Sequence, residues 1–499
     1  MKIINFKFII LFLCFFILSK SKYIVIPLKK YYHTYENENS ISKIDSNLYY
    51  TELSIGEPSQ KIIFFINSTT ESNMGIKNKF CDSKFYLDDP TINQKYNYEN
   101  STTFYQISEG NMDFGKKDLL IKDQFSFYSN FELTEEIKVE NITIIYNPNS
   151  EEYILDDVGM DFINDKEKRA ACGYIGLRLE MNSQSINNNF LEQLKEKGII
   201  SKTIFSFIEV NKNNTKYKNN KIEYLMVIGE DIYDIFSLND INKYINEKYK
   251  KEQYVEKTKI SDYILEGYYF KWKLTMNNIY IDNNNNITNM KAITNIFIDN
   301  NYGAIAGTKE YRDIIKELFF NDYINKSKCF EKDIISYEIG GFHYIICDDD
   351  ININNFPTLY LKSNNLQYVY ELTKDELFLK DNNKIYFLII FEYSKTNSWT
   401  LGKPFLEKYL LSYNYDAKSI GFYNENLLDN SHNDNNNKKY IILIVVIILS
   451  LIALVLGFLI GRYFYNKAKK KNALELDESL KNDYSSEELE NKEKKDAIN

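Results

Sequence analysis

Residues 49–67 read YYTELSIGEPSQKIIFFIN. An aromatic pair opens the stretch, an apolar–Gly–x–Pro–x–Gln turn follows at Ile55, Gly56, Pro58 and Gln60, and an apolar run closes it. The next residues turn polar, so Phe64 to Asn73 (FFINSTTESN) reads as a strand running into a turn. The same texture continues along the chain in KIIFFIN, NITIIY, TIFSFIEV, EYLMVIG, NIYID, NIFID, YIIC, TLYLK and KIYFLIIFEY. These runs are short, rich in Ile, Tyr, Phe and Val, and broken by Asn, Asp and Gly. Branched and aromatic side chains fit a pleated, half-buried surface, so the pattern predicts an all-β body. Two stretches read as helix instead. NNFLEQLKEKGII has apolar positions at helical spacing and stops at Gly198, and TKEYRDIIKELFFNDY is the second.

A chain of 499 residues, 44% hydrophobic and 15% aromatic, can build two or three domains with a sizeable core. The net charge of -9 implies no basic surface for phosphates, so no nucleic-acid partner is expected. Asparagine runs such as Asn283–Asn286 and Asn435–Asn437 load the loops. No repeat with a period of about 20 to 50 residues is visible, which argues against a solenoid.

Two apolar segments set the expected compartment. Lys2 and Lys7 precede an apolar run from Phe8 to Leu18, and Ser19 and Ser21 follow, the pattern of a secretory signal peptide over 1–21. Residues 440–461 (YIILIVVIILSLIALVLGFLIG) carry no charge and are long enough to cross a bilayer. Arg462, Lys467, Lys469, Lys470 and Lys471 follow and favour a cytoplasmic C-terminus. The expectation is a single-pass type I membrane protein whose body is extracellular or lumenal. Cys81, Cys172, Cys329 and Cys347 then fall in an oxidising compartment. Cys329 and Cys347 flank two strands around Gly340–Gly341, so a hairpin would pair them; Cys81 with Cys172 follows by elimination. Glycosylation sequons begin at Asn67, Asn100, Asn141, Asn213, Asn286 and Asn325. No metal-ligand spacing is present, and no cofactor is expected.

Several ordered motifs resemble the pepsin-like aspartic peptidases. The opening stretch is similar to theirs, YNYENSTTF resembles the segment before their flap, and ACGYIGL with the helix and strand after it resembles their apolar–Gly–Leu loop. NFPTLYL matches a strand of their C-terminal lobe. The most specific piece is SWTLGKPFLEKYLLSYNYDAKSIGFY, with Trp399, Leu401, Gly402, Phe405, Tyr409, Asp416, Gly421 and Phe422 at family spacing. The resemblance spans Leu48 to Tyr423 and implies a bilobal pepsin-like fold with a peptide-binding cleft. Together with the apolar segments and the Asn/Lys-rich stretch Asn211–Lys221, which reads as a linker, it divides the chain into a signal peptide (1–21), a short prosegment-like N-terminal strand (22–47), an N-terminal lobe (48–210) and an interlobe linker (211–221). A C-terminal lobe (222–426), a stalk (427–439), a transmembrane helix (440–461) and a cytoplasmic tail (462–499) follow. The alternative for YIVIPL, inside 22–47, is a plain edge strand.

The family's chemistry uses two carboxylates, one per lobe, that share a proton and activate a water. Here the first loop reads Asn67–Ser68–Thr69 where the family has Asp–Thr–Gly, and the second keeps Asp299 but follows it with Asn300 and Asn301. An amide has no titratable proton, so Asn67 cannot act as a base or share a proton with Asp299. Ser68 retains a hydroxyl that could brace the loop. The resemblance assigns Ser68, Thr69, Ile107, Gly110, Asn300, Asn301 and Tyr302 to the cleft lining, with Ile107 at the flap position the family gives to Tyr and Tyr105 two residues away on the same strand face. Three functions stay open: an inactive pseudoprotease that holds a peptide or protein partner, an impaired or unconventional aspartic endopeptidase using Asp299, and a structural or adhesive surface protein.

Overall fold

Strand-forming runs dominate the computed structural model of the chain, which describes residues 22–30, 49–68, 73–77, 96–109, 119–147, 173–179, 189–235, 243–246, 252–259, 272–283, 286–290, 294–336, 340–381, 383–392, 398–425, 461–463, 465 and 467. The first half holds strands β1 (Ile24–Lys30), β2 (Tyr49–Ile55), β3 (Gln60–Asn67), β4 (Met74–Lys77), β5 (Tyr105–Glu109), β6 (Leu119–Tyr128), β7 (Glu136–Asn147), β8 (Gly173–Gly176), β9 (Ile204–Glu209), β10 (Tyr224–Ile228) and β11 (Glu252–Lys259). Then come β12 (Lys273–Met276), β13 (Asn278–Asn283), β14 (Asn286–Asn289), β15 (Thr294–Ile298), β16 (Ile305–Gly307), β17 (Cys329–Ser336), β18 (Gly340–Asp348), β19 (Thr358–Lys362) and β20 (Val369–Leu372). The last are β21 (Phe378–Asp381), β22 (Lys384–Phe387), β23 (Ile389–Glu392), β24 (Ser398–Leu401), β25 (Leu411–Asn414) and β26 (Ser419–Glu425). The body is thus mostly β. Three sheets take them up: a 13-stranded sheet in the order β11-β26-β25-β9-β10-β1-β2-β3-β8-β4-β7-β6-β5, a 9-stranded sheet built on β12-β15-β24-β16-β23-β18-β22-β21, and a 4-stranded sheet β14-β13-β19-β20.

The large sheet crosses the expected lobe boundary. Strands β25, β26 and β11 come from the C-terminal half, yet they continue the ladder of β9 and β10. Residues 211–221 are correspondingly no free linker. They connect β9 to β10 as an antiparallel pair (Tyr224 opposite Glu209) and contain a helical turn, α2 (Thr215–Asn219), capped by Asn214. Its Tyr217 is buried and donates its hydroxyl to the Phe131 carbonyl at 2.6 Å. Polar composition marked a loop correctly there, but one buried aromatic and a cap fix it in place.

Strand β1 is not the edge strand of the alternative reading; it lies inside the sheet. Ile24 to Leu28 pair with Ile228 to Tyr224 of β10, while Val25 meets Tyr128 of β6 and Lys29 meets Tyr50 of β2 on the other side. Pro27 stands opposite Leu225 in the β10 pairing, between the contacts that Val25 and Lys29 make on the other side. Ile24, Val25, Ile26 and Leu28 are all buried. At about 1.5–3 kcal/mol per buried side chain, these four supply on the order of 6–12 kcal/mol, comparable to the stability of a whole domain.

The expected helices form. The first, α1 (Phe190–Glu196), is capped by the Asn189 side chain and ends at Gly198, whose φ of +64° suits the left-handed position past a helix end. Short α3 (Ile232–Ile235) follows α2 in the chain. The second expected helix begins after the Thr308 cap as α4 (Lys309–Ile315), passes through a π-helical turn (Lys316–Phe320) and ends as α5 (Asn321–Asn325). That turn holds two adjacent phenylalanines, and Phe319 and Phe320 are both buried against Phe356. Two short helices, α6 (Lys374–Leu377) and α7 (Lys403–Lys408), complete the body.

Cys329 and Cys347 face each other across the β17–β18 hairpin and form the expected disulfide. The second expected pair, Cys81 and Cys172, lies outside the described residues, as do the signal peptide, the stalk, nearly all of the apolar segment 440–461 and most of the tail. Among the described residues no helix is long and apolar enough to cross a membrane. Residues from Leu427 onward form a unit separate from the body, and their described part, within 461–467, is helical.

Candidate functional site

The two candidate loops sit in strand frames with the same wiring. In the first frame β3 runs parallel to β8, β4 runs antiparallel to β8, and β4 runs parallel to β7. In the second frame β15 runs parallel to β24, β16 antiparallel to β24, and β16 parallel to β23. The registers also agree. Ile66 is opposite Ile175 as Ile298 is opposite Leu401, and Met74 is opposite Ile175 as Ile305 is opposite Leu401. One step beyond Ile66 and Ile298 stand Asn67 and Asp299. The chain therefore carries an internal duplication, with an amide at one position and a carboxylate at its equivalent.

Glycine is required where the frames close. A Cβ on Gly402 would stand 2.2 Å from the Ala304 carbonyl oxygen and 2.3 Å from that of Tyr302. The loop holding Asp299 folds tightly against the start of α7, and only a bare backbone fits between them. In the first frame Leu177 donates its N–H to the Asn67 carbonyl at 2.7 Å, and Gly176 donates to Asn73 at 2.8 Å.

Asp299 is nearly buried. Its Oδ1 accepts the backbone N–H of Asn301 at 3.0 Å, the side-chain turn that Asp and Asn favour. The Tyr302 N–H reaches the Asp299 carbonyl at 3.3 Å and tightens the loop further. Asn300 is buried and accepts the Tyr413 hydroxyl at 2.7 Å. Burial above all, and then the charge of Asp299, hold the Tyr413 phenol well above its ordinary range, so it remains a hydrogen-bond donor. Tyr302 is half-buried beside Ala304, Phe342 and Tyr386.

Two polar side chains in these loops have no partner among the described residues. The Ser68 hydroxyl is fully buried and bonds nothing, and the Asn301 carboxamide, 5% exposed, leaves both its oxygen and its nitrogen unpaired. The brace expected of Ser68 is absent; Tyr413 braces the second loop instead. A buried unpaired polar atom costs about 1–3 kcal/mol, so both side chains sit at a stability loss.

The loops are tied together by a residue the sequence did not reveal. Trp272 is completely buried, and its indole N–H donates to the Leu177 carbonyl at 3.3 Å. Its own carbonyl accepts the Ile298 N–H at 2.9 Å. A continuous path thus runs from Asn67 through Leu177, Trp272 and Ile298 to Asp299. Trp272 also meets Tyr413 edge-on at 5.1 Å and Phe205 at 5.8 Å, and Phe205 stacks on Tyr413 at 4.7 Å. This aromatic floor joins β9 of the first half to β25 of the second. The available signal was rarity: the chain has only 2 tryptophans, and both are buried beside the second frame.

The strand expected to act as a flap is β5, the outermost strand of its sheet. It pairs with β6, but the register shifts between Gln106 and Ser108, which makes Ile107 a bulged residue. Tyr105 and Ile107 are 62% and 40% exposed, so both reach solvent even though the bulge breaks the simple alternation. The segment before β5 is anchored by buried Asp123, which accepts the Tyr96 hydroxyl at 2.5 Å and the Ser101 hydroxyl at 3.0 Å. Gly56 turns above it with φ +75°, and a Cβ there would lie 2.5 Å from the Ser101 hydroxyl. Two further expected lining residues, Thr69 and Gly110, lie outside the described residues.

Of the sequon asparagines, Asn100, Asn141, Asn213, Asn286 and Asn325 are exposed, whereas Asn67 is 1% exposed and too enclosed for a glycan in the folded chain. Among the described residues no group of three or more His, Cys, Asp or Glu side chains could hold a metal. No known family model matches the chain, and no curated protein matches it as a relative.

Proposed function

We propose that this chain is a pseudoprotease: a bilobal pepsin-like body that lacks turnover and uses the groove at its two loops to hold a peptide or protein segment. The duplicated frame carries the proposal. It sets Asn67 and Asp299 at equivalent positions of two matching frames, which supports reading them as the two acid positions of such a peptidase with one acid replaced by an amide. An amide cannot take a proton from water, and losing a general acid–base group costs about 10² to 10⁴ in rate. The Cys329–Cys347 disulfide suits an oxidising compartment, in keeping with a secreted or membrane-anchored body.

The test is a protease assay of the intact purified chain on an unfolded protein substrate from acid to neutral pH, with and without pepstatin. The expected result is no cleavage. A gain-of-function variant sharpens it: Asn67→Asp, Ser68→Thr and Thr69→Gly with Asn300→Thr and Asn301→Gly rebuilds the peptidase loops. Pepstatin-sensitive cleavage by the unmodified chain overturns the proposal in favour of an endopeptidase using Asp299. Absence of peptide binding by a folded chain favours a structural or adhesive role.

A further inference from the structure

An open sheet edge is a template for pairing with another chain, and folded proteins guard it with a bulge, a charge or a cover. Most edges of this body are guarded in one of these ways. Strand β5 is bulged at Ile107, and β11 between Glu252 and Tyr254. Strand β12 carries Lys273, β17 carries Lys332 and Asp333, and β21 carries Lys380 and Asp381. Strand β20 is covered by Tyr409, just past α7. Its hydroxyl accepts the Glu371 N–H at 2.9 Å and donates to the Glu371 carbonyl at 3.0 Å, so both groups that point away from β19 are satisfied. Tyr409 thereby seals one side of the four-stranded sheet.

The other side of that sheet, β14, lacks every such guard. Asn286, Ile287, Thr288 and Asn289 bring no charge, no proline and no register shift, and among the described residues they pair with β13 alone. Met290 donates its N–H to Ile279 at 2.9 Å, so in the same antiparallel register the bonded pairs are Ile281–Thr288 and Asn283–Asn286. The backbone N–H and C=O of Ile287 and Asn289 therefore point outward from β13. Ile287 is 60% exposed, and its face of the sheet also carries the half-buried pair Tyr280 and Tyr360, stacked at 4.9 Å. Open backbone groups beside an apolar face are what an added strand needs.

We propose that an N-linked glycan on Asn286 guards this edge and keeps the chain from pairing with a second copy of itself through β14. Asn286–Ile287–Thr288 is a sequon contained within the strand, and Asn286 is exposed. Transfer joins the Asn286 amide nitrogen to the anomeric carbon of a lipid-diphosphate oligosaccharide. A C–N bond replaces a C–O bond, the lipid diphosphate leaves, and the amide proton passes to a base. The reaction requires passage through the secretory pathway, in keeping with the Cys329–Cys347 disulfide. Alternation sends the Asn286 and Ile287 side chains to opposite faces, so the sugar does not bury Ile287. It acts on the space beside the strand: a second strand must approach to about 4.8 Å, and a branched oligosaccharide rooted on the edge strand itself denies that approach.

The test expresses the full chain in eukaryotic cells, purifies it in detergent and reads Asn286 by glycopeptide mass spectrometry. The expected result is an occupied site. Asn286→Gln and, independently, Thr288→Val remove the sequon. Each should raise the mean mass about twofold in analytical ultracentrifugation at about 100 µM and slow amide exchange at Ile287 and Asn289. Adding Ile287→Lys to Asn286→Gln should restore the wild-type mass, because a lysine guards the edge by charge. Asn213→Gln removes the sequon in the turn before α2, away from any sheet edge, and should leave the mass unchanged. An unmodified Asn286 overturns the proposal. So do sequon-free variants that keep both the wild-type mass and the wild-type melting transition, and so does equal association of Asn213→Gln.

Discussion

Ser68 and Asn301 give the strongest single prediction, because removing polar groups from a buried site should make the protein more stable. Asn301 is 5% exposed, and both ends of its carboxamide are unpaired. Two unpaired atoms at about 1–3 kcal/mol each set the gain from Asn301→Ala. Deleting the amide leaves a space of roughly 40 Å³, which at about 24 cal/mol per Å³ returns about 1 kcal/mol. The net expectation is a stabilisation of about 1–5 kcal/mol. Asn301 does not have a positive φ, so alanine introduces no backbone strain. Ser68→Ala deletes only an unpaired hydroxyl and should gain about 1–2 kcal/mol. A body of roughly 400 residues has a large unfolding entropy, so each kcal/mol moves Tm by about 1 °C, within reach of differential scanning calorimetry. A drop in Tm for both variants would refute the reasoning, because it would mean that Ser68 and Asn301 are already satisfied in the free protein.

Three further outcomes follow from other parts of the body. Tyr413→Phe and Tyr311→Phe make the same chemical change with opposite expectation: Tyr413 donates to Asn300 and should cost about 1–2 kcal/mol, whereas the buried Tyr311 hydroxyl has no partner and its loss should be neutral or stabilising, as calorimetry of both variants would show. A chain lacking residues 22–30 should fail to give a cooperative melt, since β1 sits between β10 and β2; a deletion variant that still melts cooperatively would show β1 to be dispensable. Burial raises the Glu331 carboxyl, but Lys316 and Arg312 more than offset this and hold it below its ordinary value of 4.5, so its stabilising share is present above that pH and lost as pH falls through the lowered value. Glu331→Gln should therefore lower Tm at pH 7 and reduce the further loss on acidification below about pH 4.5.

Element type was legible in the sequence, while the pairing of elements was not. Alternation and turn residues identified the strands around Gly56 and the helix that stops at Gly198, because those signals are local. The fate of YIVIPL was not local. Its burial on both faces depends on β10, about 200 residues away, and nothing within the run distinguishes an interior strand from an edge. Asn67 and Asp299 were found through neighbouring motifs, yet their equivalence rests on backbone register, which leaves little trace in side-chain identity. The brace was misassigned for a related reason. Ser68 had the right chemistry in the expected place, but its hydroxyl bonds nothing, and a phenol from β25 reaches Asn300. Trp272 stood outside every motif because its two partners, the Leu177 carbonyl and the Ile298 N–H, come from separate halves of the chain.

The contrast between frame and loops bears on the proposed function. A strand frame is held by backbone hydrogen bonds, so it survives changes of side chain that abolish chemistry, and its persistence alone says little about use. Trp272 says more. Its indole N–H is spent on Leu177, whose own N–H holds Asn67, and its backbone holds the strand of Asp299. That connection links the two loops through one buried residue. In the proposed function this link, lacking a second acid, holds the loop of Asp299 in place for a ligand. Pre-organised polar groups bind with less ordering cost than mobile ones. Loops held this firmly, with one of the two acids replaced by an amide, match the requirements of holding a ligand better than those of cleaving one.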